Sequence, residues 1–370
     1  MSYSIEKITQ VVSAERYGDT AASISFLLTD SRSLCFPEET LFFALHTDRN
    51  DGHHYIPELY RRGVRNFVVE NVPNNFSDLY KHANFLKVGN TLAALQQLTT
   101  FHRKAFNIPI VGITGSNGKT MVKEWLSQLF SYDMNVTRSP KSYNSQIGVP
   151  LSLWLLNENS QIGLIEAGIS KVGEMQALHD IIMPTVGVLT SIGTAHQENF
   201  SSLKEKCNEK LLLFKGTQAL IYRIDDKIAA NCVAETCYDG ELLAWSEYDT
   251  TAAFYVERIE KSNTTSTIHY IWKNSTHGNF ILPFIDDASI SNCITCAVVA
   301  LYFGIQPEVL AQRMVKLEPV AMRLEVKEGQ HGCTLINDSY NSDINSLNIA
   351  LDFMNRRPDQ KRRERHLILS

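Results

Sequence analysis

The chain has 370 residues, 44% hydrophobic and 20% charged, with 35 Lys and Arg against 40 Asp and Glu. That length accommodates two or three domains with cores of their own, and a net charge of −5 leaves no basic footprint for nucleic acid. No run reaches the roughly 18 apolar residues of a membrane helix, the first residues hold no apolar signal core, and seven cysteines without a regular framework point to reduced thiols, so a cytoplasmic protein is expected.

In chain order, residues 1–105 read as a compact α/β module, with strand-like pieces at 25–28, 41–45 and 66–69 and a helical run at 92–105. From Ile108 strands alternate with helices, the pattern of a mainly parallel, doubly wound sheet over 106–317. Its first strand, carrying Ile110, Val111 and Ile113, leads into Gly115-Ser116-Asn117-Gly118-Lys119-Thr120, and Val122, Trp125, Leu126 and Leu129 then recur at helical spacing. This is the form of a phosphate-binding loop. Gly115 and Gly118 let backbone N–H groups approach a polyphosphate, with Ser116 and Asn117 between them; Lys119 neutralises its charge and the Thr120 hydroxyl is placed for Mg²⁺. The general pattern asks for a glycine where Ile113 stands, and the chain has Gly112 instead. An ordinary strand-to-helix turn is the alternative.

Glu166 ends the next apolar strand, on the side where a doubly wound sheet presents ligands, and is a candidate Mg²⁺ ligand or else a solvated strand end. The strand at 186–190 leads to His196, a metal ligand or a hydrogen-bonded loop histidine. Ser202 to Glu205 has the form of a capping box opening a helix in which Lys210 joins the apolar stripe of Leu203, Cys207 and Phe214. A lysine turned inward loses hydration and becomes reactive, although a surface lysine is the commoner case. The polar stretch 242–284, with a turn at 263–266, reads as an antiparallel insert or edge of the same domain, of no readable function. Cys293 and Cys296 form a C-x-x-C pair with no second pair or nearby histidine, as on a buried helix face. After Pro319 come strand candidates at 323–327 and 333–336, a helix near 345–354, a basic surface run at 356–365 and an apolar strand-like end at 366–370.

Taken together these residues resemble the Mur ligases, ATP-dependent amide-forming enzymes of bacterial peptidoglycan synthesis. The resemblance covers essentially the whole chain, and Thr114 to Thr120 has that family's loop form, which accounts for the displaced glycine. It implies an α/β, three-domain architecture: a UDP-sugar-binding domain at 1–105, a central ATP-binding domain at 106–317 and the start of a Rossmann-like domain at 318–370. It also implies two Mg²⁺ ions, held by Thr120, Glu166 and His196 and through a carbamylated Lys210, with Lys119, His196 and Lys210 catalytic. Three stretches are most similar to the family members that join D-alanyl-D-alanine to a UDP-N-acetylmuramoyl-tripeptide. The first is Asp30-Ser31-Arg32 with 41–45 and Asp51-Gly52-His53, a UDP-sugar pocket in the family. The second is 143–150, with Asn144 near the peptide, and the third is Asn337-Asp338-Ser339-Tyr340-Asn341, with Asn341 on the substrate.

By the same resemblance Asn292, Arg323 and Asp338 reach the nucleotide; a helix cap, a solvated strand residue and a turn are their plain alternatives. Asn337 replaces the signature's first aspartate, Ser342-Asp343-Ile344 a usual Ala-Asn-Pro, and Ala288-Ser289 an expected His-Asn. The third region supplies only about fifty residues of a full Rossmann-like unit on ordinary domain sizes, which implies a truncated domain and little ligation by these residues alone. Some bacteria fuse such a ligase to a pyridoxal-phosphate alanine racemase, and the sequence is most similar to the ligase half, with no pyridoxal-phosphate lysine motif in this segment. A folylpolyglutamate-type ligase and a non-catalytic phosphate-loop protein are the alternatives in function.

Overall fold

The computed structural model describes residues 1–47, 50–193, 199–321, 325–329, 333–339 and 366–368, with Leu347, Ala350, Leu351 and Met354 as single positions. Two compact units emerge. The first comprises Met1–Ile108, Ser139–Ser160 and Asp180–Met183, and the second Pro109–Arg138, Gln161–His179 and Pro184–Ser370.

The first unit is built on a five-stranded sheet in the order Glu15–Tyr17, Asn84–Lys87, Asn66–Val69, Thr40–Phe43, Phe26–Leu28, antiparallel only at the first pairing. Continuous apolar runs such as Thr40–Phe43 suit strands covered on both faces. Successive side chains indeed go to opposite cores. Leu41, Phe43, Val68 and Leu86 pack with Ile5, Ile8, Leu95, Leu98 and Trp154, whereas Phe42, Phe67, Val69 and Phe85 pack with Ile56 and Leu59. The expected helix at 92–105 runs Thr91–Arg103 and starts where the Asn90 side chain accepts from the Ala93 N–H.

Near the end of that helix His102 is 1% exposed. Its Nε2 lies 3.0 Å from the Leu156 carbonyl and its Nδ1 3.0 Å from the Tyr3 hydroxyl. A carbonyl only accepts, so Nε2 carries the proton and Nδ1 accepts from Tyr3. Burial, opposed by the Leu156 bond, pushes the imidazole pKa down to about 4. A folded-state value below the unfolded one means that the unfolded chain binds more protons as pH falls through 6.5, so stability is present above that pH and lost below it. We expect the first unit to be about 2 kcal/mol less stable at pH 5 than at pH 7. Hydrogen exchange along Thr91–Arg103 reads this out, and His102→Gln should flatten the pH slope; an unchanged slope would assign the loss to other groups.

The second unit holds a nine-stranded sheet in the order Val136–Arg138, Ile162–Glu166, Ile110–Thr114, Val186–Leu189, Ala219–Arg223, Glu241–Ser246, Phe254–Lys261, Ser266–Trp272, Thr276–Leu282. Pairings are parallel as far as Phe254–Lys261, and the last two strands run antiparallel. Of the stretch expected to be an antiparallel insert or edge, 242–284, only the part from Phe254–Lys261 to Thr276–Leu282 is antiparallel, whereas Glu241–Ser246 pairs parallel on both sides; on the antiparallel edge Tyr270 stacks on Phe254 with ring centroids 4.5 Å apart. The helix Lys119–Phe130 buries Trp125, Leu126 and Leu129 against Val111, Ile113 and Leu164, together with the helix Asp287–Tyr302, apolar through Cys296 to Leu301. Cys293 and Cys296 lie fully buried on the latter, and burial pushes both thiols up. All seven cysteines are free.

After Glu318, whose carbonyl accepts from Trp125 Nε1 at 2.9 Å, the strands Glu325–Glu328 and Thr334–Asn337 pair antiparallel. Leu347, Ala350, Leu351 and Met354 are helical, and the rest of the helix expected at 345–354 lies outside the described residues, as does the basic run. The strand expected at 366–370 is not formed in its described part. Among the described residues, His366 to Ile368 are exposed and without regular structure.

Candidate active site

The strand Ile110–Thr114 is buried along its whole length and ends where the chain must turn sharply into the helix Lys119–Phe130. Gly115 at φ 150° and Gly118 at φ 86° make that turn. A Cβ on Gly115 would lie 2.0 Å from Thr190 Oγ1, and one on Gly118 2.4 Å from Asn292 Oδ1, so close approach as well as backbone conformation requires glycine at both. Gly112 serves a different purpose: it lets the strand pass Pro184, whose Cβ would be 2.9 Å from an added methyl.

The loop is fastened to the end of the parallel neighbour Val186–Leu189. Thr190 Oγ1 donates to the Asn117 carbonyl at 2.5 Å and the Ser116 N–H to Ser191 at 2.7 Å, while the Ser116 hydroxyl accepts from the Gly193 N–H at 2.9 Å and donates to the Gly193 carbonyl at 3.0 Å. Lys119 folds back so that Nζ donates to the carbonyls of Gly115 (2.9 Å) and Ser116 (3.0 Å). No side chain caps the helix that Gly118 opens, so its first N–H groups and its dipole favour an anion at the loop.

Parallel register sets Glu166 opposite Ile113, at the carboxyl end of its strand and 1% exposed. Thr120 Oγ1 donates to Glu166 Oε2 at 3.0 Å, bringing a hydroxyl and a carboxylate together beside the loop. Hard oxygen donors in that pairing fit Mg²⁺. One turn further along the helix Lys123 is fully buried, its Nζ 3.0 Å from Glu124 Oε1 and 4.0 Å from Glu166 Oε2, with Arg138 on the far side of Glu124 at 2.9 Å. Sequence reasoning passed over Lys123; its place three residues after Thr120 was the available signal.

The helix Leu203–Leu211 starts at Ser202, whose hydroxyl accepts from the Glu205 N–H. The reciprocal half of the capping box is displaced by one residue, since Glu205 accepts from the N–H of Ser201 at 2.6 Å. Lys210 is 2% exposed on this helix. Burial first, then the charges of Lys119 and Lys206, hold its ammonium well below the usual lysine range, which favours the neutral amine. Its neighbour Glu209 caps the helix Glu174–Ile182 through the N–H groups of Gly173 (2.8 Å) and Met175 (3.1 Å). The buried Lys206, also missed from sequence, donates to the Gly193 carbonyl at 2.6 Å.

Asn292 sits on the first turns of Asp287–Tyr302 against Gly118; the cap of that helix is Asp286, accepting from Ser289 at 2.7 Å. Asp338 follows Thr334–Asn337, half-buried beside Asn337 and Ser339 in the hairpin. His196, Arg323 and Asn341 lie outside the described residues.

Three expected substrate residues belong together in the first unit. Asp30 caps the short turn Ser31–Ser33 and grips Arg32 at 2.7 Å, a bond that holds its carboxyl below the usual range. The Arg32 side chain is largely exposed, and buried Ser31 accepts from Arg62 through its carbonyl at 2.7 Å. Nearby in sequence, Gly52 packs against the Ala44 backbone and His53 accepts from the Glu70 N–H through Nε2. Asn144 is half-buried in the turn before the helix Gly148–Leu153, also in the first unit.

Residues 113–300 match the Mur ligase middle domain. A Bacillus subtilis protein named UDP-N-acetylmuramoyl-tripeptide--D-alanyl-D-alanine ligase is 29% identical over 330 residues, covering 87% of this chain and 68% of its own. The crystal structure of MurF from Acinetobacter baumannii superimposes with a TM-score of 0.86 at 22% identity, over 96% of this chain and 77% of that one. MurF ligase from Thermotoga maritima in complex with ADP superimposes with a TM-score of 0.76 at 22% identity, over 89% and 74%. At such identities the two structures establish a shared fold. Because the middle-domain match spans just over half of the 370 residues and encloses the phosphate loop, Glu166, Lys210 and Asn292 alike, the chain belongs to the Mur ligase family.

Proposed function

We infer that the protein is an ATP-dependent ligase that joins D-alanyl-D-alanine to a UDP-N-acetylmuramoyl-tripeptide in peptidoglycan synthesis. The observation that carries this reading is the hydrogen bond of half-buried Thr120 to buried Glu166 beside a phosphate loop whose lysine is held by loop carbonyls. The kinship with the Bacillus subtilis ligase supplies the substrates.

The chemistry has two stages. The γ-phosphoryl group of ATP passes to the terminal carboxylate of the tripeptide, giving an acyl phosphate and ADP. The amine of D-alanyl-D-alanine then attacks the acyl carbon, forming the amide and releasing phosphate with loss of a proton. Lys119 exchanges the Gly115 and Ser116 carbonyls for phosphate oxygens, and the open helix N-terminus takes the remaining charge. Bound Mg²⁺ supplies charge neutralisation between the phosphates and the acceptor carboxylate. Thr120, Glu166 and His196 would hold one ion. Burial and the neighbouring charges favour the uncharged form of the Lys210 amine, which is the form suited to take up carbon dioxide, forming an N–C bond and losing one proton, and the resulting carbamate would hold a second ion.

On the nucleotide side Asn292, Arg323 and Asp338 are assigned to ATP. Asp30, Ser31, Arg32, Asn144 and Asn341 are assigned to the UDP-sugar peptide, with 1–105 as the UDP-sugar domain, 106–317 as the ATP domain and 318–370 as part of the closing ligase domain. A cytoplasmic site of action fits substrates of this kind; no described helix is long and apolar enough to cross a membrane.

Phosphate release tests the reading. We expect ADP and phosphate to form only when the UDP-muramoyl-tripeptide and D-alanyl-D-alanine are both present. Release that ignores the acceptor, or that answers to a folate with glutamate, would overturn it.

A further inference from the structure

The strand Ile110–Thr114 ends on a hydroxyl that the proposed use of the loop leaves without a task. Thr114 is fully buried, and among the described residues its Oγ1 neither donates nor accepts a hydrogen bond. A hydroxyl withdrawn from water without a partner costs stability, and a strand position held only for packing would take valine, which has the same shape without the polar atom.

Strand alternation shows which way that hydroxyl faces. Val111 and Ile113 turn to the core shared with the helix Lys119–Phe130, whereas a Cβ on Gly112 would meet Pro184 and, at 3.5 Å, Leu213 Cδ2. Thr114 shares the Gly112 face. Leu213 belongs to the turn Leu212–Phe214 that continues the helix Leu203–Leu211, and Phe214 packs on Gly187, the parallel partner of Gly112. That helix runs against the strands. Lys206, in its first half, bonds the Gly193 carbonyl beyond their carboxyl ends, and Leu213, past its last turn, lies level with Gly112. One turn back from Leu213 is Lys210, and two residues on from Gly112 is Thr114, about 5 Å of helix against about 6.6 Å of strand. Lys210 and Thr114 therefore fall at one level of the same face, both buried.

The free amine makes no hydrogen bond to this hydroxyl, since Oγ1 takes part in none. Addition of carbon dioxide to the neutral amine forms an N–C bond, releases one proton and lengthens the side chain by a carboxylate, an acceptor for an O–H donor. We propose that Thr114 is a positioning residue for Lys210, its hydroxyl donating to one oxygen of the Lys210 carbamate and so orienting the other. The proposal rests on the carbamate reading above.

The test incubates the wild-type protein, Thr114→Val, Thr114→Ala, Thr114→Ser and Lys210→Met with ¹³C-bicarbonate and follows the carbamate carbon by ¹³C NMR, with ADP affinity and the unfolding midpoint measured on the same samples. The signal missing from Lys210→Met is that of Lys210. Valine keeps the shape of threonine, and alanine preserves the comparison should the valine variant not fold. We expect both to need about tenfold more bicarbonate for half occupancy, the size of one charge-assisted hydrogen bond, and to keep their affinity for ADP. Serine, which retains the hydroxyl, should restore most of the occupancy. A titration that valine and alanine leave unchanged, or a serine variant as impaired as they are, would overturn the proposal while leaving the carbamate in place. Loss of ADP affinity in step with the carbamate would assign the hydroxyl to the loop and overturn it as well. A wild-type protein without the Lys210 signal would remove the carbamate reading, and the proposal with it.

Discussion

Replacing Lys119 by alanine is expected to lower acceptor-dependent ATP turnover by about three orders of magnitude, the scale seen when a preorganised charge is removed from a transferring phosphoryl group. The ammonium rests on the carbonyls of Gly115 and Ser116, at the mouth of a helix that no side chain caps. Alanine removes the charge but leaves the loop's other fastenings, from Thr190 to Asn117 and between Ser116 and the backbone of Ser191 and Gly193. The fold should therefore survive. Coupled ADP release together with the unfolding midpoint checks both halves of this expectation, and turnover near wild type would remove Lys119 from the chemistry. Arginine should not restore it, since a planar fork cannot take the folded-back path of a four-carbon ammonium.

Lys210→Ala should be nearly as damaging, by about two to three orders of magnitude if an anionic oxygen ligand is lost at the site of phosphoryl transfer. Its side chain is buried, and burial with the charges of Lys119 and Lys206 favours the neutral amine that a reaction with carbon dioxide needs. The alanine variant leaves a space at this buried position that a small carboxylate can fill. Acetate or formate should restore part of the rate, and neutral amides of the same size should not. Two controls read the structural contribution: Lys210→Met fills the space without the charge, and the unfolding midpoint reports the packing loss. An alanine variant that is active without any additive would return Lys210 to a purely structural position.

Much of this site is written in local sequence. A β-rich apolar run, two glycines and a helical stripe dictate the strand–loop–helix at Ile110 to Phe130, because strand period, helix period and the glycine conformations are properties of neighbouring residues. The same holds for the burial of Cys293 and Cys296, which follows from an apolar helix face. Other features depend on which strands become neighbours. Glu166 meets Thr120 only because Ile162–Glu166 lies beside Ile110–Thr114 with Glu166 level with Ile113, a pairing across some fifty residues of chain that no local pattern specifies. Gly112 reads from sequence as a displaced loop glycine and proves to be the contact with Pro184. The grouping of 139–160 with the first unit is equally non-local. Lys123 and Lys206 make the point most sharply, since a lysine in a sequence reads as a solvated surface residue until tertiary structure takes away the water and supplies a carboxylate to the one and a carbonyl to the other.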